Sequence, residues 1–155
     1  YYLCLCRAQL IPMTSKVYIF LLLFLLPVSF GCEKEDESFP VIYVNMNLLL
    51  STDLNDVGVG SGKKFRITGS ADSVIVVRTD VQEYTAYSDI CPNFQAEGGY
   101  HQVRLDASRQ LAECPFCHSR FLLAFYGNQI EGSVSPRPLH AFRTRIEGAR
   151  LYISN

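Results

Sequence analysis

The sequence predicts an all-β domain of the small sandwich or barrel kind, on three observations. Short runs rich in Val, Ile, Tyr and Phe recur through residues 41–155 and are separated by Gly, Asp and Ser turns. No window of ten or more residues keeps a 3.6-residue apolar period, so no long helix is indicated. Two cysteine loops lie between the runs, Cys91-Pro92-Asn93 and Cys114-Pro115-Phe116-Cys117-His118-Ser119-Arg120-Phe121.

The elements follow in order. Val41 to Leu48 is rich in β-formers, with alternation in its second half. Leu48-Leu49-Leu50 is ambiguous, and a short helix within 48–60 is an open alternative. Gly58-Val59-Gly60-Ser61-Gly62 reads as a flexible loop. Phe65-Arg66-Ile67 is a short strand ahead of the turn Gly69-Ser70-Ala71-Asp72. Val74-Ile75-Val76-Val77-Arg78 is β-branched and has the look of a central strand. Glu83 to Tyr87 alternates and runs into the first cysteine loop. Gln102–Leu105 and Gln110–Glu113 flank the turn Asp106-Ala107-Ser108-Arg109 and form a hairpin that delivers Cys114. Arg120–Ala124 leaves the second loop, and Gln129–Glu131 follows the Gly127-Asn128 turn. Ala141–Ile146 and Arg150–Ile153 make a last hairpin across Glu147-Gly148-Ala149.

Residues 1–31 are expected to stand outside the folded domain. Met13 is the expected start, with residues 1–12 as upstream translation. Lys16 precedes the apolar run Val17–Leu26, a pattern of signal peptides over 13–31. That run is shorter than the roughly 20 residues a membrane-spanning helix needs. Gly31 before Cys32 resembles a bacterial lipobox, which implies lipidation at Cys32. Glu33-Lys34-Glu35-Asp36-Glu37-Ser38 is a charged run suited to a solvated tether over 32–40. It is similar to the acidic spacers of Bacteroidetes surface lipoproteins. The implied location is the cell envelope, lipid-anchored to the outer or cytoplasmic membrane and facing periplasm or exterior. Ordinary secretion with an incidental Cys32 is the plainer alternative.

The formal net charge is −1, and removal of 1–31 takes away Arg7 and Lys16 but no acid. No basic stripe or aromatic RNA-binding motif is present, which argues against a nucleic-acid partner. No Ser/His/Asp order, phosphate-binding glycine loop or Glu/His helix motif stands out, so a catalytic site is not indicated. His101 and His140 are more simply structural than ligating. Arg137, Arg143, Arg145 and Arg150 read as a solvated face. Phe94 and Phe116 become a partner surface if exposed at the loop tips. Beyond Cys4, Cys6 and Cys32, the domain holds Cys91, Cys114 and Cys117, an odd number that cannot all pair as disulfides.

From Val74 to Ile153 the chain resembles the Rieske family. Its two loops are similar to that family's Cys-x-His and Cys-Pro-x-His-Gly-x-x-Phe ligand loops. Gly132-Ser133-Val134-Ser135-Pro136-Arg137-Pro138-Leu139 resembles the proline loop that covers the cluster. The resemblance implies a small β-sandwich or barrel with an inserted cluster-binding subdomain at about 89–138. It implies a 2Fe–2S cluster, single-electron transfer and a redox or envelope protein partner. Position by position, Cys91 and Cys114 match the family's cysteine ligands. Asn93 and Cys117 stand where the family has histidines, and His118 stands where it has glycine. Ser119 matches a serine that hydrogen-bonds a cluster sulfide in high-potential members, and Pro136 belongs to the covering loop.

Three readings of the site stay open. A cluster is held by Cys91, Cys114, Cys117 and a fourth group, His118 or His101. Alternatively, zinc takes the three thiolates and one histidine, a common structural set. Lastly, no metal binds, Cys91 pairs with Cys114 or Cys117, and the domain is a cofactor-free binding module.

Overall fold

The computed structural model describes residues 42–93 and 99–155, which belong to the compact unit Ser38–Asn155. The segments 1–12, 13–31 and 32–40, Cys32 and Phe94 fall outside the described residues. Within them the structure is all-β: β1 (Asn45–Leu49), β2 (Gly62–Arg66), β3 (Ser73–Asp80), β4 (Glu83–Ser88), β5 (Arg104–Leu105), β6 (Leu111–Glu113), β7 (Arg120–Leu122), β8 (Asn128–Gln129), β9 (Ala141–Glu147) and β10 (Arg150–Ser154). No helix of the described residues is long and apolar enough to cross a membrane.

The strands form a six-stranded sheet in the order β1-β10-β9-β4-β3-β2 and a four-stranded sheet in the order β5-β6-β7-β8. The strands of both sheets pair antiparallel, and the isolated bridge Val59↔Arg78 is parallel. In the large sheet β9 pairs with β4 at Ala86↔Phe142 and Tyr87↔Ala141, and Thr144 Oγ1 donates to the Tyr84 carbonyl at 2.9 Å. The expected hairpins are present. β5 and β6 pair as Arg104↔Glu113 and Leu105↔Ala112, and β9 pairs with β10 through Leu151↔Ile146. The Asp106 carboxylate closes the first of these turns by accepting from the Gln110 and Leu111 amides at 3.1 and 3.0 Å. Side chains of Asp make such turns because they reach back to nearby backbone donors.

β3 is buried on both faces. Val74 and Val76 pack into one core with Leu54, Phe142, Leu151 and Ile153. Ile75 and Val77 point the other way, into a second core with Tyr87, Val103, Phe121, Leu123, Cys91 and Cys114. This follows from the period of two along a strand. Burying each of these side chains contributes about 2 kcal/mol.

Two stretches differ from the sequence expectation. Residues 48–60 hold no helix. The Asp53 carboxylate accepts the Leu49 amide at 2.8 Å while the Asp53 amide donates to the Leu49 carbonyl at 2.9 Å, which closes a turn instead. Leu54 and Val57 then drop into the first core. The Gly58–Gly62 loop is tied to β3, with the Gly60 amide donating to the Arg78 carbonyl at 2.7 Å. Gly62 opens β2 where space is tight: a Cβ there would stand 3.0 Å from Leu123 Cδ1 and 3.2 Å from Ile75 Cγ2.

Below the first cysteine loop sits a buried ion pair. Asp89 is fully buried, and its Oδ1 accepts the Ser73 amide at 3.1 Å. No hydrogen bond reaches Oδ2; its charge is met by Lys64 Nζ at 2.9 Å. Lys64 also donates to the Val103 carbonyl at 2.9 Å. The pair thus ties β2, β3 and both sides of the loop. Because Asp89 has no exposed surface, loss of its partner leaves a buried charge unmet. Lys64→Met is therefore expected to destabilise the fold by about 3 kcal/mol in urea denaturation. Adding Asp89→Asn, which keeps an acceptor for Ser73, should recover most of that loss. A Lys64→Met loss of only a few tenths of a kcal/mol, as for an exposed pair, would show that the pair does not hold the loop.

Candidate metal centre

The first loop leaves β4 through hydrogen bonds that fix its backbone. Ser88 Oγ accepts the Ile90 amide at 3.1 Å, and the Cys91 amide donates to the His101 carbonyl at 2.8 Å. The Val103 amide donates to the Asp89 carbonyl at 2.7 Å. Together these hold Cys91 at the edge of the second core, where it is buried. The second loop is the turn between β6 and β7. The Cys114 amide donates to the Ser119 carbonyl and the His118 amide to the Cys114 carbonyl, both at 2.9 Å. This tight return needs a left-handed residue, and His118 supplies it with φ of 55°. Glycine adopts that conformation without cost and other residues do not, so His118 occupies a glycine-type position.

The two loops bring three sulfurs together. The Sγ atoms of Cys91, Cys114 and Cys117 all lie within 4.8 Å of one another. Cys91 Sγ and Cys117 Sγ are 3.6 Å apart, and none of the three is in a disulfide. Cys91 and Cys114 are buried, while Cys117 is partly exposed. His118 is outside this group. Its side chain is exposed, with Nδ1 3.8 Å from Glu113 Oε1. His101 stacks flat on Phe116, ring centroids 4.1 Å apart and planes 11° apart, and its Nε2 is buried without a hydrogen-bond partner. Asn93 is half-buried, and its backbone N–H is directed to the Cys91 sulfur. His140 lies edge-on to Phe142, and burial lowers its pKa.

Ser119 is the polar residue closest to the sulfurs. It is fully buried, with Oγ 3.2 Å from Cys117 Sγ. The Ser135 amide donates to the same oxygen at 2.9 Å. A hydroxyl has one proton and two lone pairs, so the Ser119 proton is free to turn to the sulfur when Cys117 ionises. Ser135 also donates its own hydroxyl to the Arg137 carbonyl at 2.9 Å, which pins the loop carrying the exposed Pro136.

The Cys91 and Cys117 thiols are not equivalent. Burial pushes the Cys91 thiol well up, against the opposing pull of the Asn93 backbone amide. Burial also acts to raise Cys117, but hydrogen bonds from the Ser119 side chain and backbone, together with the neighbouring thiols, outweigh it and bring Cys117 down to about 7.

Sequence reading found the three cysteines and Ser119. It missed the Lys64–Asp89 pair, the stacking of His101 on Phe116 and the part played by Ser135. Each depends on partners brought together from distant segments. A signal was available only for Asp89, an acid directly before the buried Ile90-Cys91.

No family model matches the sequence, and no curated protein matches it. Solved structures do resemble it. The plasma membrane Rieske protein PetC3 of the cyanobacterium Synechocystis PCC 6803 is 18% identical, over 74% of this chain and 100% of its own, with a TM-score of 0.50. The fold is Rieske-like. The ferredoxin of carbazole 1,9a-dioxygenase from Nocardioides aromaticivorans IC177 is 20% identical over 74% of this chain and 98% of its own, with a TM-score of 0.44. The ferredoxin of Sphingomonas yanoikuyae B1 is 17% identical over 72% of this chain and 99% of its own, with a TM-score of 0.45.

The donor set decides whether a cluster of the Rieske kind fits this Rieske-like frame. Cys91 and Cys114 are buried. Among the described residues no histidine joins the three sulfurs: His118 is exposed beside Glu113, and His101 is stacked on Phe116. The residues therefore do not fit a histidine-ligated outer iron, but three converging sulfurs do fit a thiophilic metal.

Because the thiolate is the nucleophile, the metal-free, reduced protein should be alkylated first at Cys117. The rate should rise as pH passes through about 7, with Cys91 lagging at every pH. Ser119→Ala removes the main stabilising hydrogen bond and should move that midpoint upward. Peptide mass spectrometry after timed iodoacetamide labelling measures both. A Cys117 midpoint at the ordinary thiol value near 8.5, unmoved by Ser119→Ala, would contradict the assignment.

Proposed function

We propose that this protein is an envelope-anchored electron-transfer protein of the Rieske fold, whose tip holds iron through Cys91, Cys114 and Cys117. The observation that carries the reading is the convergence of three sulfurs, two of them buried, between loops of a Rieske-like frame. Iron bound there would supply one-electron redox chemistry. The chain's own residues do the rest. Cys91 and Cys114 place two donors on the dry side, and Cys117 places the third toward solvent. Ser119 Oγ accepts from the Cys117 thiol at 3.2 Å, and its own proton would turn to the sulfur of a bound thiolate. Such outer contacts orient ligands and tune a metal's potential. Anchoring rests on sequence alone, on the apolar run Val17–Leu26 and the Gly31-Cys32 junction ahead of the acidic tether. The partner would be a redox protein of the envelope that meets the tip, where Phe116 is half-exposed.

A second reading is favoured by one contact. Cys91 and Cys117 at 3.6 Å are close enough for a small side-chain movement to join them, in a compartment where disulfides persist. The protein would then be a cofactor-free binding module with its loops stapled together.

Anaerobic purification separates the two. Iron binding gives a coloured protein with visible absorption and iron by elemental analysis. A colourless protein free of iron and zinc, with Cys91 and Cys117 unreactive until reduced, would replace the first reading with the second.

A further inference from the structure

We infer that the tip is a mononuclear site, in which Cys91, Cys114 and Cys117 take one thiophilic transition-metal ion together rather than sharing a two-iron cluster. The inference rests on the reading of the tip as a metal–thiolate centre and specifies its nuclearity.

Spacing is the first ground. Two thiolates bound 2.3 Å from one tetrahedral ion stand about 3.8 Å apart. Cys91 and Cys117 are 3.6 Å apart, and every pair among the three lies within 4.8 Å. In a Rieske arrangement position 117 serves the outer iron, so its donor is separated from position 91 by the whole iron–iron vector. Here the pair that should be split is instead in contact.

The backbone supplies the second ground. The turn Cys114-Pro115-Phe116-Cys117 closes through the His118 amide to the Cys114 carbonyl, and the left-handed His118 then redirects the chain toward β7. This is how a Cys-x-x-Cys turn presents two sulfurs to one ion. Cys91 completes the set from the opposite loop, held by the hydrogen bond its backbone amide donates to the His101 carbonyl. Among the described residues no fourth His, Cys, Asp or Glu joins these sulfurs. His118 is exposed beside Glu113, and His101 is stacked on Phe116. None of the described residues therefore supplies the fourth donor of a tetrahedral ion.

The donor chemistry agrees. Three thiolates select iron, zinc or copper(I) and disfavour hard ions such as magnesium and calcium. Ser119 Oγ, fixed by the Ser135 amide, lies 3.2 Å from the outward sulfur, where its proton can serve a metal-bound thiolate as an outer-shell donor.

The test uses the full chain carrying Cys4→Ser, Cys6→Ser and Cys32→Ser, so that only the three loop thiols remain. The reduced, anaerobic protein is titrated with cobalt(II). The expected result is saturation at one cobalt per chain with a sulfur-to-cobalt charge-transfer band, lost in Cys117→Ser. Ser119→Ala should weaken binding by about tenfold or more. Parallel reconstitution with iron and sulfide should yield one iron per chain without acid-labile sulfide. Two irons with two sulfides per chain would overturn the mononuclear inference but leave the electron-transfer reading standing. One zinc or cobalt per chain with no uptake of iron would support the inference and overturn the electron-transfer reading. No saturable uptake of any of these metals would overturn both.

Discussion

The structure depends on the burial of β3 on both faces. An ordinary sheet strand in a domain of this size offers one apolar face to a core and the other to water. Val74, Ile75, Val76 and Val77 are all fully buried, so this strand must be covered twice. The first covering is the wrap of β1, β9 and β10 with the Leu54–Val57 turn. The second is the small sheet that carries the second cysteine loop, together with the first loop where it leaves β4. Cys91 and Cys114 are thus members of a hydrophobic core as well as candidate ligands. Their depth is set by packing against Ile75, Val77, Phe121 and Leu123. A metal at the tip would rest on a rigid floor, and its three ligands come from loops that leave strands on that floor.

Much of this was legible in the sequence because strands announce themselves locally. The β-branched run at 74–77, the alternation before Cys91 and the turn at Asp106–Arg109 each carry their own signal. The stretch after Leu48 did not. Three consecutive leucines fit either a helix or a strand, and the choice is made by the Asp53 carboxylate folding back on the Leu49 amide. The candidate site was legible as a set of residue types but not as an arrangement. His118 adjoins Cys117 in sequence, yet the left-handed backbone at 118 turns its ring toward Glu113 rather than toward the sulfurs. Lys64 and Asp89 are far apart in the chain, and only β2–β3–β4 pairing brings them together. Nothing in either local sequence names the other.

Frame and chemistry have separated in this protein. The fold is Rieske-like, and loop hydrogen bonds with the buried Ser119 hold its cysteine loops in place. Among the described residues no histidine joins the sulfur group, and a third thiol does. The fold supplies position and burial; the sulfur trio and Ser119 determine what can bind and at what potential. The same closeness makes the site sensitive to oxidation, since any bond between Cys91 and Cys117 consumes two of its three donors.

The central claim is that three sulfurs from two loops address a single point. X-ray absorption at the metal edge of the loaded protein tests it most directly. The account predicts three sulfur neighbours at about 2.3 Å and no metal–metal scattering. A shell with fewer than three sulfurs, or a second metal close to the first, would contradict it.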